Sequence, residues 1–514
     1  MAYRNIPSIG ERVDPGSNRL AVTDAVRRSV VAVAGELVQA VELAMGTELP
    51  VTAQAFQELE QRLTRLVQAS VVTGVVRAVL QAVHAEDDFV WACVDKARAL
   101  RGVRPDRKQS VRVRLLCGGV VDVVTPYALQ PRPKRSEPGR RRDRKVGGTC
   151  CFPVLAQLGI VDNATPALRS EVAWASSALG SLSEAREALL RRGVDLHVNT
   201  IRLLTERVAD TCLVDRDAEG AMGGTPALLA GKRVVVAIDG GRIRLRKNKR
   251  GRARKSGWHG YETPWREPKL MAVYTVGADG RKDGDVVFYE ATLASYDDAF
   301  ALFVRCLGRL GLAQAAEVVF AADGSDHVWA RVPAAIKALQ IDPAKVYTFV
   351  DFWHAAEHLH EASKLVPGLT PYEASLRVRA WRVHLKAGRP DDLALALEAA
   401  ATTARGDART QLENHASYFR NNADRMRYPR LRAACLPIGT GAVESAIRRV
   451  VNLRLKGAGT FWDEDNAERM LLLRCRLKAN RWRDVEESMN RHTFSLRGNA
   501  LRLARAKAHV PAPA

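Results

Sequence analysis

The sequence predicts a mixed α/β core in the second half of the chain, preceded and interrupted by helical regions. Three observations predict it. Residues 18–108 carry apolar positions such as Val30, Val33, Leu37 and Val41 at helical spacing, with Glu and Arg between them. From residue 231 the texture changes to short β-branched runs, some of them separated by helix-length segments. Residues 367–436 then return to a helical pattern, punctuated by Pro371 and Pro390.

The elements follow in order. Residues 1–108 form a helical N-terminal region. In 109–148, "VRVRLLCGGVVDVVTPYAL" alternates in steps of two around Gly118-Gly119, as a β-hairpin does. Next comes "RPKRSEPGRRRDRK", with eight basic and two acidic residues over Arg132 to Lys145, a linker or arm. In 149–230, "SLSEAREALLRRGVDLHVNTIRLLTERVAD" places a helix, a turn through Gly193 and Asp195, and a second helix with Asn199 or Thr200 near its start. That is the outline of a DNA-reading helix-turn-helix, and equally of any helical hairpin. Residues 231–366 read as three strands, helix, strand, helix, strand: a meander, then two strands reached by crossovers long enough to be parallel, hence a mixed sheet. Helices fill 367–436, a helix holding Glu444 opens 437–480, and 481–514 is a basic tail.

Charge narrows the partner. With 79 Lys+Arg against 57 Asp+Glu the net charge is +22, which calls for a polyanion. No run of about 18 uncharged apolar residues exists, and "MAYRNIPSIGERVDPG" lacks the apolar stretch of a signal peptide, so nucleic acid is favoured over a membrane surface. Eight cysteines with no CxxC pair argue against a disulfide framework or structural zinc, and for a reducing cytoplasm.

Chemistry concentrates at three acids. Asp239 closes "VVVAIDGG" and Asp323 closes "VVFAADGS". A carboxylate just past a buried strand stands at the sheet edge where α/β folds place ligands, although Asp-Gly there is also an ordinary turn signal. Glu444 is the lone acid opening a run otherwise rich in arginine. Three hard oxygen ligands suit Mg²⁺ or Mn²⁺, and two such ions about 3.5–4 Å apart serve in-line phosphoryl displacement. A carboxylate in a phosphate-binding surface then makes sense, because a cation lies between the two negative charges.

The strand order, these acids, and the segments "AIDGG", "AADGSDHVW" and "GTGAVESAIRRVVNLRLKGAGTFW" together resemble the DDE transposases of bacterial insertion sequences, closest to the Kra group with the Lre group as a near relative. The resemblance covers roughly residues 150–480. It implies an RNase H-like catalytic domain over 231–366 and 437–480, interrupted by the helical insertion 367–436 and preceded by helical DNA-binding and assembly regions. It also implies catalysis and metal binding by Asp239, Asp323 and Glu444 with two Mg²⁺ or Mn²⁺ ions. "VDFWHAAEHL" resembles the family's Asp-x-x-His signal, which falls on Asp351 and His354 as supporting residues. The implied reaction frees a 3′-hydroxyl at an element end and joins it to target DNA. The implied partner is double-stranded DNA, at element ends and target, bound by a homodimer or higher oligomer in the bacterial cytoplasm at the nucleoid. An RNase H-like nuclease that hydrolyses without joining, and a domesticated DNA-binding protein that no longer cuts, are the rivals.

Other residues complete the expectation. "RIRLRKNKRGRARK" holds nine basic residues and no acid, and its place after Asp239 suggests a phosphate-gripping hairpin carrying Arg244, Arg246, Lys247, Lys249, Arg250, Arg252, Arg254 and Lys255. Arg448, Arg449, Arg454 and Lys456, around the Glu444 helix, are assigned to DNA as well. Trp258, Tyr261 and Trp265 stack on bases or brace the loop. Trp462 either supports Glu444 or touches DNA. Glu262 or Glu267 is the rival third ligand. His354 and His358 share a helix face as zinc ligands can, but the HExxH order is absent.

Overall fold

The computed structural model describes residues 24–45, 52–129, 150–219, 227–249 and 260–494. The chain divides into two compact units, Met1–Leu168 with Leu190–Asp195, and Arg169–Leu189 with Leu196–Ala514.

The first unit contains helices α1 (Asp24–Met45), α2 (Ala53–Ala85) and α3 (Asp87–Arg101), then the antiparallel hairpin β1 (Arg104–Arg114) and β2 (Val120–Leu129). The hairpin expected around Gly118-Gly119 is present, and Gly118 adopts the positive φ of +82° that such a turn asks of glycine. β1 begins seven residues before the alternating stretch, at Arg104 rather than Val111. Its first residues are exposed on both sides, so they show no period-2 pattern. The basic linker at 132–145 lies outside the described residues. Between the hairpin and the sheet the chain forms the helices α4 (Pro166–Ala178), α5 (Leu182–Arg191) and α6 (Val198–Glu219).

In the second unit a five-stranded mixed sheet is built from β3 (Arg233–Gly240), β4 (Lys269–Val276), β5 (Lys282–Thr292), β6 (Glu317–Ala322) and β7 (Val346–Val350), in the order β5-β4-β3-β6-β7. β3, β4 and β5 pair antiparallel; β6 runs parallel to both β3 and β7. The expected meander followed by two parallel crossovers is therefore present. β3 reads as a near-continuous apolar run because its side chains from Val234 to Ile238 are buried on both faces, as a covered sheet requires. The first crossover is α7 (Tyr296–Arg309), started by Ser295, whose side chain accepts from the Asp298 N–H; its apolar face buries Phe300, Phe303 and Cys306. The second includes α8 (Val332–Ala338).

After β7 come α9 (Phe352–Leu365) and the helices α10 (Pro371–Lys386), α11 (Pro390–Thr403) and α12 (Gly406–Asn421), of which α10 and α11 each start with a proline in the N-terminal turn. α12 packs back on α9. α13 (Gly441–Ile447) continues into a π-helical turn at Arg448–Asn452 and packs on β3 and β4. α14 (Glu464–Lys478) lies along β5, followed by α15 (Trp482–Arg491). The π turn widens the helix and alters its carbonyl pairing; the fully buried Arg474 donates to the carbonyls of Val450 (2.6 Å), Ser177 (2.6 Å) and Arg449.

The two helices of the helix-turn-helix outline are present, with a longer turn than expected. The helix Leu182–Arg191 and the helix Val198–Glu219 are joined by residues 192–197, longer than the roughly 3–4-residue turn of that motif. Helix Val198–Glu219 packs on α14 and α15, and no residue from Leu204 to Asp217 is exposed. Its N-terminal turns, with Asn199, Arg202 and Leu203, face outward. It is a core helix of the second unit. No helix among the described residues is long and apolar enough to cross a membrane.

Candidate active site at the strand ends

Parallel register lines up three aspartates. Ile238 pairs with Ala322 and Ala322 with Val350, so Asp239, Asp323 and Asp351 each follow the last matched residue of neighbouring strands. Adjacent strands lie about 4.8 Å apart, which makes these three carboxylates a row along the sheet edge. Sequence reasoning placed Asp239 and Asp323 there; it gave Asp351 only a supporting role.

Asp351 is fully buried and saturated with donors. Its Oδ1 accepts from the backbone N–H of Trp353 (2.5 Å) and of His354 (3.0 Å), capping α9, while Oδ2 accepts from both the N–H and the hydroxyl of Thr440. Burial alone would raise its pKa, yet the hydrogen bonds from His354 and Thr440 bring it down to about 2. The chain is also tied to Ile438, whose carbonyl accepts from Phe352 N–H at 3.0 Å. The start of α9 thus holds the "IGTG" loop, and Thr440 is the residue just before the helix that carries Glu444.

Glu444 is exposed at the first turn of α13. Among the described residues, the one set of three donors all within 4.8 Å of one another is Asp351, His354 and Glu444. The expected trio Asp239, Asp323 and Glu444 is wider than that, although all three are close enough to interact. Burial pushes Asp239 up to about 6, the Asp323 and Glu444 charges adding to the rise while the Gly240 N–H and His354 oppose it. The reason for the tighter set is charge. His354 is the local cation, its pKa raised to about 9 by the Asp351 carboxylate against the effect of burial. Its Nδ1 lies 3.8 Å from Asp351 Oδ1, beyond hydrogen-bond reach, and has no hydrogen-bond partner.

The donor set fits a divalent metal. Asp239, Asp323 and Glu444 offer hard oxygens, the cost of burying Asp239 beside two like charges is the kind a cation removes, and the buried, unpartnered His354 Nδ1 becomes a ligand atom once a metal displaces its proton. Asp351, with both oxygens occupied, is a positioning residue for this set rather than a further ligand.

Two further residues border the row. Glu267 packs against Gly240, where a Cβ would meet its Oε1 at 2.3 Å, and it accepts from the Tyr296 hydroxyl at 3.3 Å. It stands beside the site, but the charges felt by Asp239 are those of Asp323, His354 and Glu444. Glu262 instead pairs with Lys249 at 3.7 Å on an exposed strand. Tyr418 of α12 lies over Gly324, where a Cβ would meet its ring at 2.1 Å, and its hydroxyl is buried without a partner. Sequence reading missed Thr440 and Tyr418. The "GTG" before Glu444 was the only signal for Thr440, and nothing marked Tyr418.

The basic run after Asp239 is a hairpin arm. Arg242, Arg244 and Arg246 are exposed while Ile243 and Leu245 between them are buried. Ile243–Arg244 pairs with Trp265–Arg266, and Lys247–Asn248 with Tyr261–Glu262. Arg244 lies 4.7 Å over Trp265 and Arg246 4.4 Å over Tyr261, so these aromatics brace the arm's guanidinium groups. Lys247 and Lys249 are exposed too. Arg250, Arg252, Arg254, Lys255 and Trp258 lie outside the described residues. Trp462 supports this arm rather than Glu444: its N–H donates to Arg244 O at 3.0 Å, and its carbonyl accepts from Arg246 N–H at 2.8 Å.

Of the late basic residues, Arg448 and Lys456 are exposed, and Arg449 donates to the Tyr289 hydroxyl at 2.7 Å. Arg454 is buried at 8% exposure, donating to Ser176 O at 3.4 Å with its guanidinium 5.1 Å over Trp462. It is withdrawn from the DNA-contact set, because a buried guanidinium holding the fold cannot meet a phosphate.

The two histidines read as possible zinc ligands do not share a site. His358 turns to the insertion, with its Nδ1 3.0 Å from His415 Nδ1 and its ring stacked 3.7 Å from Tyr418. Comparison of the chain with models of protein families, with curated sequences and with solved structures finds no match.

Proposed function

We propose that this protein is a metal-dependent DNA transposase of the DDE type, its five-stranded sheet an RNase H-like catalytic core and its helices from Pro371 to Ala433 an insertion. The observation that carries the reading is the register of Asp239 and Asp323 at the ends of adjacent parallel strands, with Glu444 brought toward them by the Asp351–Thr440 tie. The strand order, antiparallel meander then two parallel strands, supports the RNase H-like assignment.

Asp239, Asp323 and Glu444 would hold two Mg²⁺ or Mn²⁺ ions. Such ions, when bound, activate an attacking oxygen and stabilise a leaving one in phosphoryl transfer. The chain's own residues do the rest. Asp239, with its pKa held near 6, is ionised at neutral pH and ready to ligate. Asp351 fixes the helix that presents Glu444. Arg242, Arg244, Arg246, Lys247 and Lys249 offer the arm's exposed charge to DNA phosphates beside the row. In this reading the protein works on double-stranded DNA, as a homodimer or larger assembly that brings two ends together, in the bacterial cytoplasm at the nucleoid.

The test is a joining reaction. A labelled duplex with an exposed 3′-hydroxyl end is incubated with the protein, Mg²⁺ and target DNA. The reading expects covalent transfer of label to target. Cleavage without transfer assigns a nuclease, and binding without either assigns a DNA-binding protein that does not cut.

A further inference from the structure

A second polar cavity lies away from the aspartate row. It holds about 390 Å³ and is lined by Lys282, Tyr289, Arg449, Lys478, Asn480 and Arg481 among others. Lys282 pairs with Val276 and Asp239 with Leu270, so the cavity begins at the opposite end of the sheet from the candidate active site. Three segments carry its polar lining, with Leu228 beside them: the edge strand β5 from Lys282 to Tyr289, the π turn after α13, and the end of α14 with the turn that follows it.

Its charge is one-sided. Among the described lining residues there is no Asp or Glu. Two acids among the described neighbours have partners of their own: Asp484 pairs with Arg481 Nε at 2.7 Å, and Asp283 accepts from the Thr275 hydroxyl while also drawing on Lys282. Arg449 cannot swing away, because its Nη2 donates to the Tyr289 hydroxyl at 2.7 Å and its Nε to Ser445 O at 3.3 Å. The mutual repulsion is felt. Burial lowers the pKa of Lys282 with Arg449 adding to it, and burial lowers that of Lys478 with Arg474 and Arg449 adding. Lys282 is exposed and Lys478 partly buried, and the backbone gathers both with Arg449 around a space within the roughly 300–1,000 Å³ range of small-molecule sites.

The geometry points to this cavity as a binding site for phosphate groups, separate from the aspartate row. Phosphate oxygens would accept from Lys282, Lys478 and the fixed Arg449 guanidinium and would relieve their repulsion. The inference does not rest on the transposase reading, since the same chemistry is offered by a DNA backbone and by a free di- or triphosphate.

The test uses the full chain with Lys282→Gln and Lys478→Gln combined, and Lys282→Arg with Lys478→Arg as the charge-preserving control. Binding of inorganic pyrophosphate is followed by calorimetry, and binding of a duplex DNA as a function of salt. If the occupant is a free phosphate compound, pyrophosphate affinity falls at least tenfold in the Gln pair and survives in the Arg pair, with the DNA salt slope unchanged. If it is the DNA backbone, the slope of log affinity against log salt shrinks by about two, at about 0.9 for each phosphate no longer neutralised. The Gln pair, relieved of repulsion, should melt no lower than wild type. Unchanged pyrophosphate affinity together with an unchanged slope overturns the site, as does a Gln pair that melts well below wild type while the Arg pair does not.

Discussion

Asp351 shows how one buried carboxylate organises residues far apart in sequence. Its oxygens accept from Trp353, His354 and Thr440, so an Asn at this position would turn an amide N–H₂ toward donors already present. Charged hydrogen bonds of this kind are worth about 1.5–3 kcal/mol each, and leaving one donor pair unmet should cost Asp351→Asn about 2–3 kcal/mol. Urea unfolding checks it: the midpoint should fall with the slope unchanged, and an unmoved midpoint would contradict the role. His358 makes a pH prediction. Burial lowers its pKa to about 4, with His415 and His354 adding to the effect, while Glu361 pulls on the neighbouring His415 in the opposite sense. With an unfolded value near 6.5, the unfolded chain takes up this proton first as pH falls. Stability from this group is complete above about pH 6.5 and is lost toward pH 4, by at most about 3 kcal/mol before solvent screening is counted. His358→Phe keeps a ring against Tyr418 and removes the titration. The variant's stability should fall less steeply than wild type between these pH values, and equal steepness would assign the loss elsewhere.

At the scale of elements, the arm and the core helix Val198–Glu219 mark what the sequence shows and what it hides. The arm was legible because nine basic residues with no acid follow Asp239, and over Arg242–Arg246 they alternate with Ile243 and Leu245 as a strand with one wet, charged face does. Its prediction is electrostatic. Arg242, Arg244 and Arg246 changed together to Gln should weaken duplex binding for all sequences and reduce the salt slope by about two to three, read from gel shifts at several salt concentrations. A slope equal to wild type would make the arm a solvated hairpin. The helix was read only in part because its second buried face is polar. Asp210 meets Arg469 at 2.7 Å and Arg216 meets Glu468 at 2.9 Å, partners roughly 250 residues downstream, so a binary apolar pattern shows one face where the fold uses two. Arg454 hides in the same way: nothing local distinguishes an arginine that crosses over Trp462 from one that faces DNA. The π turn and its Arg474 clamp are likewise set by tertiary contacts alone.

For the whole molecule, the sheet was readable because its strands are short apolar runs, and its first two acids because β3 and β6 each lead into Asp-Gly; local signals add up when strands are buried on both faces. The third member of the row, Asp351, was underweighted, since its importance comes from parallel register and from Thr440, 89 residues on. Glu444 reaches the row through that long-range tie and through the packing of its helix on β3 and β4, which makes it the most informative residue to change. The direct measurement is cleavage and binding side by side, in Mg²⁺, by wild type and Glu444→Gln, of duplex DNA carrying the ends on which the proposed transposase would act. The substitution keeps shape while removing a ligand oxygen's charge and a phosphate-repelling carboxylate. The account predicts that cleavage falls by at least a hundredfold while the gel-shift affinity is unchanged or tighter. A Glu444→Gln protein that nicks at near wild-type rate would contradict it.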